Sequence, residues 1–417
     1  MRPFSSPSDP PQQADASLRA APTQQADASL RAAPTQLFDG VLARGGVRAE
    51  VADAAWLAAL LDVESALARA GSDAGVVPPG AADAIVAACA SLVVDVAELS
   101  AEAAASGNPV VPLVARLRAA VPADVAPYVH KGATSQDIMD SATVLIARRA
   151  LGPLRADLHG AADAAAALAR AHRDTPMAGR TLLQKAVPTT FGLKAAGWSL
   201  GLDEAVARLT EVRGNRLAAQ FGGAAGTLAG LDGAGLEVAR RLAAGLGLVE
   251  RVLPWHTMRT PVAELATALG EAAGVVGKVA RDVVLLAQNE VAEVSEGAPG
   301  GSSAMAHKRN PVAAVSAGAC AAEAPGLVAS LLAAMVQEHE RAAGAWHAEW
   351  RPLRTLLVAV GSAASWLRTC LEEIEVHPEA MRANLDALLP SLGGSLDVGS
   401  APELVDRFLV WRGEAQP

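Results

Sequence analysis

From Thr260 onward the chain places Val262, Leu265, Leu269, Ala272, Val276, Val279, Val283 and Leu286 at alternating spacings of three and four. That periodicity predicts a long helix with one continuous apolar stripe. Thr260 is a candidate N-cap, and Pro261 follows at the first helical position, where a missing N–H costs nothing. About 30 residues at 1.5 Å rise make a helix roughly 45 Å long, and only a bundle buries so long a stripe. Ala266, Ala268, Ala273, Gly274 and Gly277 fill the rest of the circumference and suit close packing on several sides rather than a two-stranded coiled coil. Further helices are predicted after Thr134-Ser135-Gln136-Asp137, which reads as a capping box, from about Thr190 to Gly214, and from about Pro311 to Arg341. Gly- and Pro-bearing segments near 71–80, 105–112, 121–127, 174–188, 221–233 and 297–301 predict loops. The expected fold class is all-α, a long-helix bundle.

The first 36 residues break this pattern. Gln12–Thr23 read QQADASLRAAPT and Gln24–Thr35 repeat the same twelve residues, too polar and Pro-punctuated to pack a core. Residues 1–36 are expected to be a disordered tail, and two copies are too few for a solenoid. Composition narrows the rest. With 51% apolar residues the 417-residue chain has enough material for a large core, and its Ala, Leu and Val content with only 1 Tyr, 5 Phe and 7 Trp favours helix over strand. A formal charge of −9 with no Lys/Arg stripe argues against nucleic-acid partners. The longest clean apolar runs, such as 327–336 and 356–360, fall short of the roughly 20 residues that span a bilayer, so no membrane segment is expected. The N-terminus lacks the apolar core of a signal peptide, and a cytoplasmic location is expected. Cys89, Cys320 and Cys370 are too scattered for a metal site or a disulfide framework and read as small buried apolar groups.

Candidate chemistry concentrates in three segments. In His130-Lys131-Gly132-Ala133-Thr134-Ser135-Gln136-Asp137 two hydroxyls, Thr134 and Ser135, meet the positive end of a helix, which suits a carboxylate or phosphate, although these residues alone read more readily as an ordinary N-cap. In Gly179–Gly192 the loop before a helix carries Arg180, Gln184 and Lys185, again suited to an anion or to plain solvation. Gly300-Gly301-Ser302-Ser303-Ala304-Met305-Ala306-His307-Lys308-Arg309-Asn310-Pro311 combines a glycine pair, two serines able to move a proton, and Lys308, Arg309 and Asn310 able to hold negative charge. The eight histidines show no ligand spacing, and no metal or organic cofactor is called for.

The Gly-Ser-Ser-x-Met-x-x-Lys-x-Asn-Pro run at 301–311 resembles the signature loop of the fumarase/aspartase superfamily, and Thr134–Asp137 and Pro188-Thr189-Thr190-Phe191-Gly192 look like its other two active-site regions, in family order. The resemblance spans roughly 37–385 and implies a homotetramer with a long-helix core, each active site drawing the three regions from three subunits. It divides the chain into an N-terminal helical domain (37–125), a central bundle (126–371) and a shortened C-terminal helical domain (372–417). Within the superfamily, Thr181-Leu182-Leu183-Gln184, Pro254-Trp255-His256-Thr257, Gln337–Arg341 and Trp346–Trp350 look like the cycloisomerase branch that lactonises 3-carboxy-cis,cis-muconate in protocatechuate degradation. Lyases that release an amine carry histidines where this chain has Leu182 and Lys185. A carboxylate that adds to the diene is stable as an anion, so that site needs no acid for a leaving group; it needs a proton donor to the carbanion carbon and a cradle for the aci-carboxylate. The resemblance implies Ser302 or Ser303 as the proton-transferring group, with Lys308 and loop N–H groups lowering its pKa and Asn310 aiding the oxyanion. It implies Thr134, Ser135, Arg180, Gln184 and Lys185 as carboxylate holders for a small polycarboxylate substrate. His339 and Arg341 join the pocket, although as an i, i+2 pair on the predicted helix only one of them points inward. The alternative is a lyase of the same superfamily acting on an adenylosuccinate-like or nitrosuccinate-like substrate.

Overall fold

The computed structural model describes residues 36–305 and 307–414; the expected tail at 1–36 lies, apart from Gln36, outside them. Five long helices, Ser135–Ala171, Phe191–Asn215, Thr260–Leu286, Val312–Ala333 and Ala345–Glu372, pack on one another as the core. The stripe from Val262 to Leu286 is buried along its whole length, and Gly277 lets the neighbouring helix approach until a Cβ there would sit 3.4 Å from Ala321 Cβ. The Thr260 helix starts one residue earlier than expected, with Arg259 at the cap and Pro261 in the first turn. Thr190 caps the Phe191 helix, its hydroxyl accepting Leu193 N–H at 3.1 Å. The three cysteines are free and buried, and burial pushes the Cys89 thiol up to about 12 and Cys320 to about 11, leaving both as unreactive thiols.

The core has two ends. The Ser135 helix begins at the first end and, with 37 residues, runs about 55 Å to the second. The Phe191 helix starts back from there, since Gly192 N–H donates to His172 O. The helices at Thr260 and Ala345 start at the first end, and the helix at Val312 starts at the second. The 21-residue helix Asp53–Asp73 and the shorter Pro79–Ser91, Val96–Ser106 and Val110–Ala119 form an N-terminal layer that shares the bundle's core, Asp53–Asp73 and Val110–Ala119 packing on the Ser135 helix. After the core, Pro378–Asp386 packs on the second-end hairpin, and Ala401–Trp411 lies on the Phe191 helix, tied by Arg412 to Asp203 at 2.8 Å.

Two expectations are corrected. The segment 174–188 is no loop: Pro176–Thr181 and Gln184–Thr190 pair antiparallel around the two-residue turn Leu182-Leu183, whose φ angles of 50° and 64° are those a tight hairpin turn demands. The helix expected to reach Arg341 ends at Ala333, and 334–344 is a connecting loop. Val312–Ala333 is also long and apolar enough to cross a membrane by length and composition alone; here it packs along the Thr260 and Ala345 helices as part of the bundle.

Candidate active site

At the first end, Thr134 and Ser135 sit half-buried where the Ser135 helix starts, and Asp137 closes the cap by accepting Thr134 N–H at 3.0 Å. Asp137 does more than cap. Its buried carboxylate also accepts Gly222 N–H at 3.0 Å and Gly223 N–H at 2.9 Å and meets His256 Nε2 at 2.7 Å. One turn on, Asp140 receives both terminal nitrogens of Arg259 at 2.7 and 2.9 Å and Trp346 Nε1 at 3.0 Å. Arg259 reaches Glu349 as well, at 2.9 and 2.6 Å, and lies over the Trp255 ring. Burial alone would lower the Arg259 pKa, but Asp140 and Glu349 more than reverse this and keep it charged. Burial likewise pushes the Glu349 carboxyl up while Arg259 opposes it. His130, left-handed at φ 64°, leans on buried Glu64 with Nδ1 2.6 Å from Oε1.

Arg341 completes this end. Because 334–344 is a loop, the expected helical exclusion between His339 and Arg341 does not arise. Arg341 turns inward and donates to Gln136 Oε1 at 3.2 Å and Gly223 O at 2.8 Å, while His339 is exposed, with φ 52°, its carbonyl accepting the Thr257 hydroxyl. A half-buried guanidinium facing neutral oxygens is left with charge to offer a ligand; burial lowers its pKa, and the Asp137 and Asp140 charges partly restore it.

The other candidates lie at the second end. The signature segment is a loop closed at its base by reciprocal backbone hydrogen bonds between Gly300 and Asn310 at 2.9 Å. Asn310 Nδ2 donates to Gly301 O at 3.2 Å. A side chain at Gly300 would strike Val312, which is why the base needs glycine. Ser302 Oγ accepts the N–H groups of Ala304 and Met305 at 3.3 and 3.2 Å, whereas Ser303 and Lys308 are exposed. On the hairpin, Gln184 and Lys185 are exposed beside the turn, and Lys185 Nζ donates to Asn384 O at 3.0 Å. Arg180 is not presented as an open carboxylate holder: its guanidinium forms a bidentate pair with buried Glu293 at 2.9 and 2.8 Å.

One chain therefore brings Thr134, Ser135 and Arg341 together at one end and places Ser302, Ser303, Lys308, Asn310, Gln184 and Lys185 at the other. Sequence reasoning read Asp137 only as a helix cap and passed over the rest of the support beneath the first end, Asp140, Arg259 and Glu349. Its signal was present: Asp137 and Asp140 stand three apart on a helix whose neighbours Ile138 and Met139 are apolar, a spacing that puts both charges on one buried face.

A lyase family model matches residues 44–326. The chain is similar to the 3-carboxy-cis,cis-muconate cycloisomerase of Bradyrhizobium diazoefficiens, with 49% identity over 83% of this chain and 78% of the relative. It is also similar to the nitrosuccinate lyase of Streptomyces davaonensis, with 48% identity over 82% of this chain and 74% of the relative. Among solved structures, the 3-carboxy-cis,cis-muconate lactonizing enzyme from Pseudomonas putida superposes with a TM-score of 0.81 at 41% identity, covering 89% of this chain and 86% of that one.

Proposed function

The chain belongs to the fumarase/aspartase superfamily of lyases, and on that premise we infer that it lactonises 3-carboxy-cis,cis-muconate to 4-carboxymuconolactone, a step in the catabolism of aromatic acids through protocatechuate. The observation that carries this reading is the hairpin turn. Its tip offers Leu182, Leu183, Gln184 and Lys185 and no imidazole, so it supplies no acid for a departing amine. The cycloisomerase reaction asks for none. The substrate's own carboxylate oxygen adds to the diene, and one proton, taken up from the enzyme and replaced from water, goes to the carbanion carbon. Ser303 is the proton-transferring group of choice, because its hydroxyl is exposed and unengaged while that of Ser302 serves the loop's own turn. Lys308, Asn310 and loop N–H groups face the developing charge. Thr134, Ser135 and Arg341 hold carboxylates, joined by His339, Gln184 and Lys185 at the pocket's rim.

These groups lie at opposite ends of a core whose longest helix runs about 55 Å, so a complete site requires ends from different copies. A largely apolar open groove also runs between the Thr260 and Val312 helices, lined by Gly277, Val284, Leu285, Val315 and Gly318 with the exposed Arg281 among them. A homotetramer that buries such a groove accounts for both. Light scattering with parallel assay is expected to find activity only in the tetramer; a fully active monomer overturns the assembly.

The second reading, loss of nitrite from nitrosuccinate, is favoured by the 48%-identical nitrosuccinate lyase, since nitrite also leaves unprotonated. A substrate panel separates the two. Incubation with 3-carboxy-cis,cis-muconate is expected to consume the diene and its ultraviolet absorbance without added cofactor, with adenylosuccinate and argininosuccinate inert. Nitrite release outpacing diene loss hands the function to the second reading, and adenylosuccinate cleavage outpacing both sinks the two together.

A further inference from the structure

We propose that Glu293 is a positioning hub, and that Arg180 acts in the reaction through it rather than on the substrate. Glu293 is fully buried, and its carboxylate is bound on both oxygens. Arg180 donates to Oε2 at 2.9 Å and to Oε1 at 2.8 Å, and Asn384 Nδ2 donates to Oε1 at 3.0 Å. The same Asn384 amide donates to Val291 O at 2.8 Å, and its backbone carbonyl accepts Lys185 Nζ at 3.0 Å. The backbone of Glu293 is committed too: its N–H donates to Leu286 O at the end of a core helix, and its carbonyl accepts His377 N–H at the start of the Pro378–Asp386 helix. One residue thus gathers a core-helix end, the hairpin, and the segment after the core.

The hairpin is shaped to make this contact. Its register shifts between Ala178 and Arg180, and Gly179 stands at the irregularity, where a Cβ would lie 2.8 Å from Val187 O. Such a bulge re-aims the next side chain, here Arg180, toward Glu293. On the other side the hub connects stiffly to the signature loop. Val294–Glu296 follows at once and pairs with Ile374–Val376. Gly297 N–H donates to Glu373 O, and the Glu296 carboxylate accepts Ala313 and Ala314 N–H at 3.1 and 2.8 Å, pinning the helix that leaves the loop. Four residues on, Gly300 and Asn310 close the loop. The turn bearing Leu182–Lys185 and the loop bearing Ser303 are therefore fixed to one buried carboxylate, whose charge is compensated by Arg180 in the fork geometry that favours arginine.

A guanidinium spent in this way has little to give a substrate carboxylate. Neutralising Glu293 tells the two roles apart. If Arg180 bound substrate, Glu293→Gln would free it and lower KM. If Arg180 positions, Glu293→Gln and Arg180→Gln each lose kcat, on the order of 10-fold, with KM unchanged or raised as Gln184 and Lys185 shift with their turn, because misplaced groups cost rate. The doubly neutral Arg180→Gln/Glu293→Gln protein, which leaves no buried charge unpaired, is then no slower than the worse single variant, as expected for residues acting as a unit.

The kinetic arm rests on the cycloisomerase reading above, so hydrogen exchange on the intact unliganded protein is measured beside it. Glu293→Gln is expected to speed exchange in both the 176–190 hairpin and the 297–311 loop. Faster exchange in the hairpin alone, or no change in either, overturns the hub whatever the substrate is; so does a lowered KM or an unchanged kcat in Glu293→Gln. Should the wild-type protein not turn over the muconate, the substrate assignment fails and the exchange result alone decides the hub.

Discussion

Replacing Ser303 by alanine is expected to lower kcat on the order of 10³-fold, about 4 kcal/mol in the barrier, with the fold intact. The side chain is exposed on a loop closed at its base by Gly300 and Asn310, so its removal opens no cavity and breaks no bond that holds the loop. Ser302→Ala differs in kind. It deletes the acceptor for two loop N–H groups, and its loss enters through loop geometry, with a smaller fall in kcat. Lys308→Ala removes the nearby charge that favours the serine alkoxide and the aci-carboxylate, and is expected to fall between the two. Steady-state kinetics with far-ultraviolet circular dichroism as the control for folding checks all three. Near-native turnover in every variant would exclude the signature loop from the chemistry.

Arg259→Met is expected to bring the largest loss of stability, roughly 3–5 kcal/mol, because it leaves two buried carboxylates, Asp140 and Glu349, facing each other without a cation. The methionine fills much of the volume, so the loss reports charge rather than a cavity. Arg259→Lys is expected to be intermediate: one ammonium cannot hold both carboxylates in the fork that the guanidinium makes. Urea unfolding at fixed protein concentration measures both, because any subunit association would make the midpoint depend on concentration. A midpoint for Arg259→Met that matches the wild type would show that the network is solvated and contributes little.

The bundle was legible because its information is short-range. The stripe from Val262 to Leu286, the cap at Thr190 and the Asp137 closure of the Ser135 helix are each written within a few residues, and periods of three and four survive whatever packs against them. The signature loop was legible for a related reason, as an uninterrupted run of small, hydroxyl and basic residues. Reading failed where a local preference was weak and a distant partner decided. Thr181-Leu182-Leu183-Gln184 carries none of the usual turn residues, and strand pairing on either side forces both leucines to positive φ. The expected helix to Arg341 stopped at Ala333 because the chain there turns to bring Gln337 onto Glu349 and Arg341 onto Gln136.

Charge shows the divide most clearly. That Arg180 and Arg259 exist, and that acids stand at 137, 140, 293 and 349, can be read from the chain. Which acid meets which base cannot: Arg180 finds Glu293 across 113 residues and Arg259 finds Asp140 across 119. Helix formation costs and returns its free energy within a turn, so the order of residues along the chain settles it. A buried ion pair forms only where packing has already expelled water from both partners, and that condition belongs to the folded bundle as a whole.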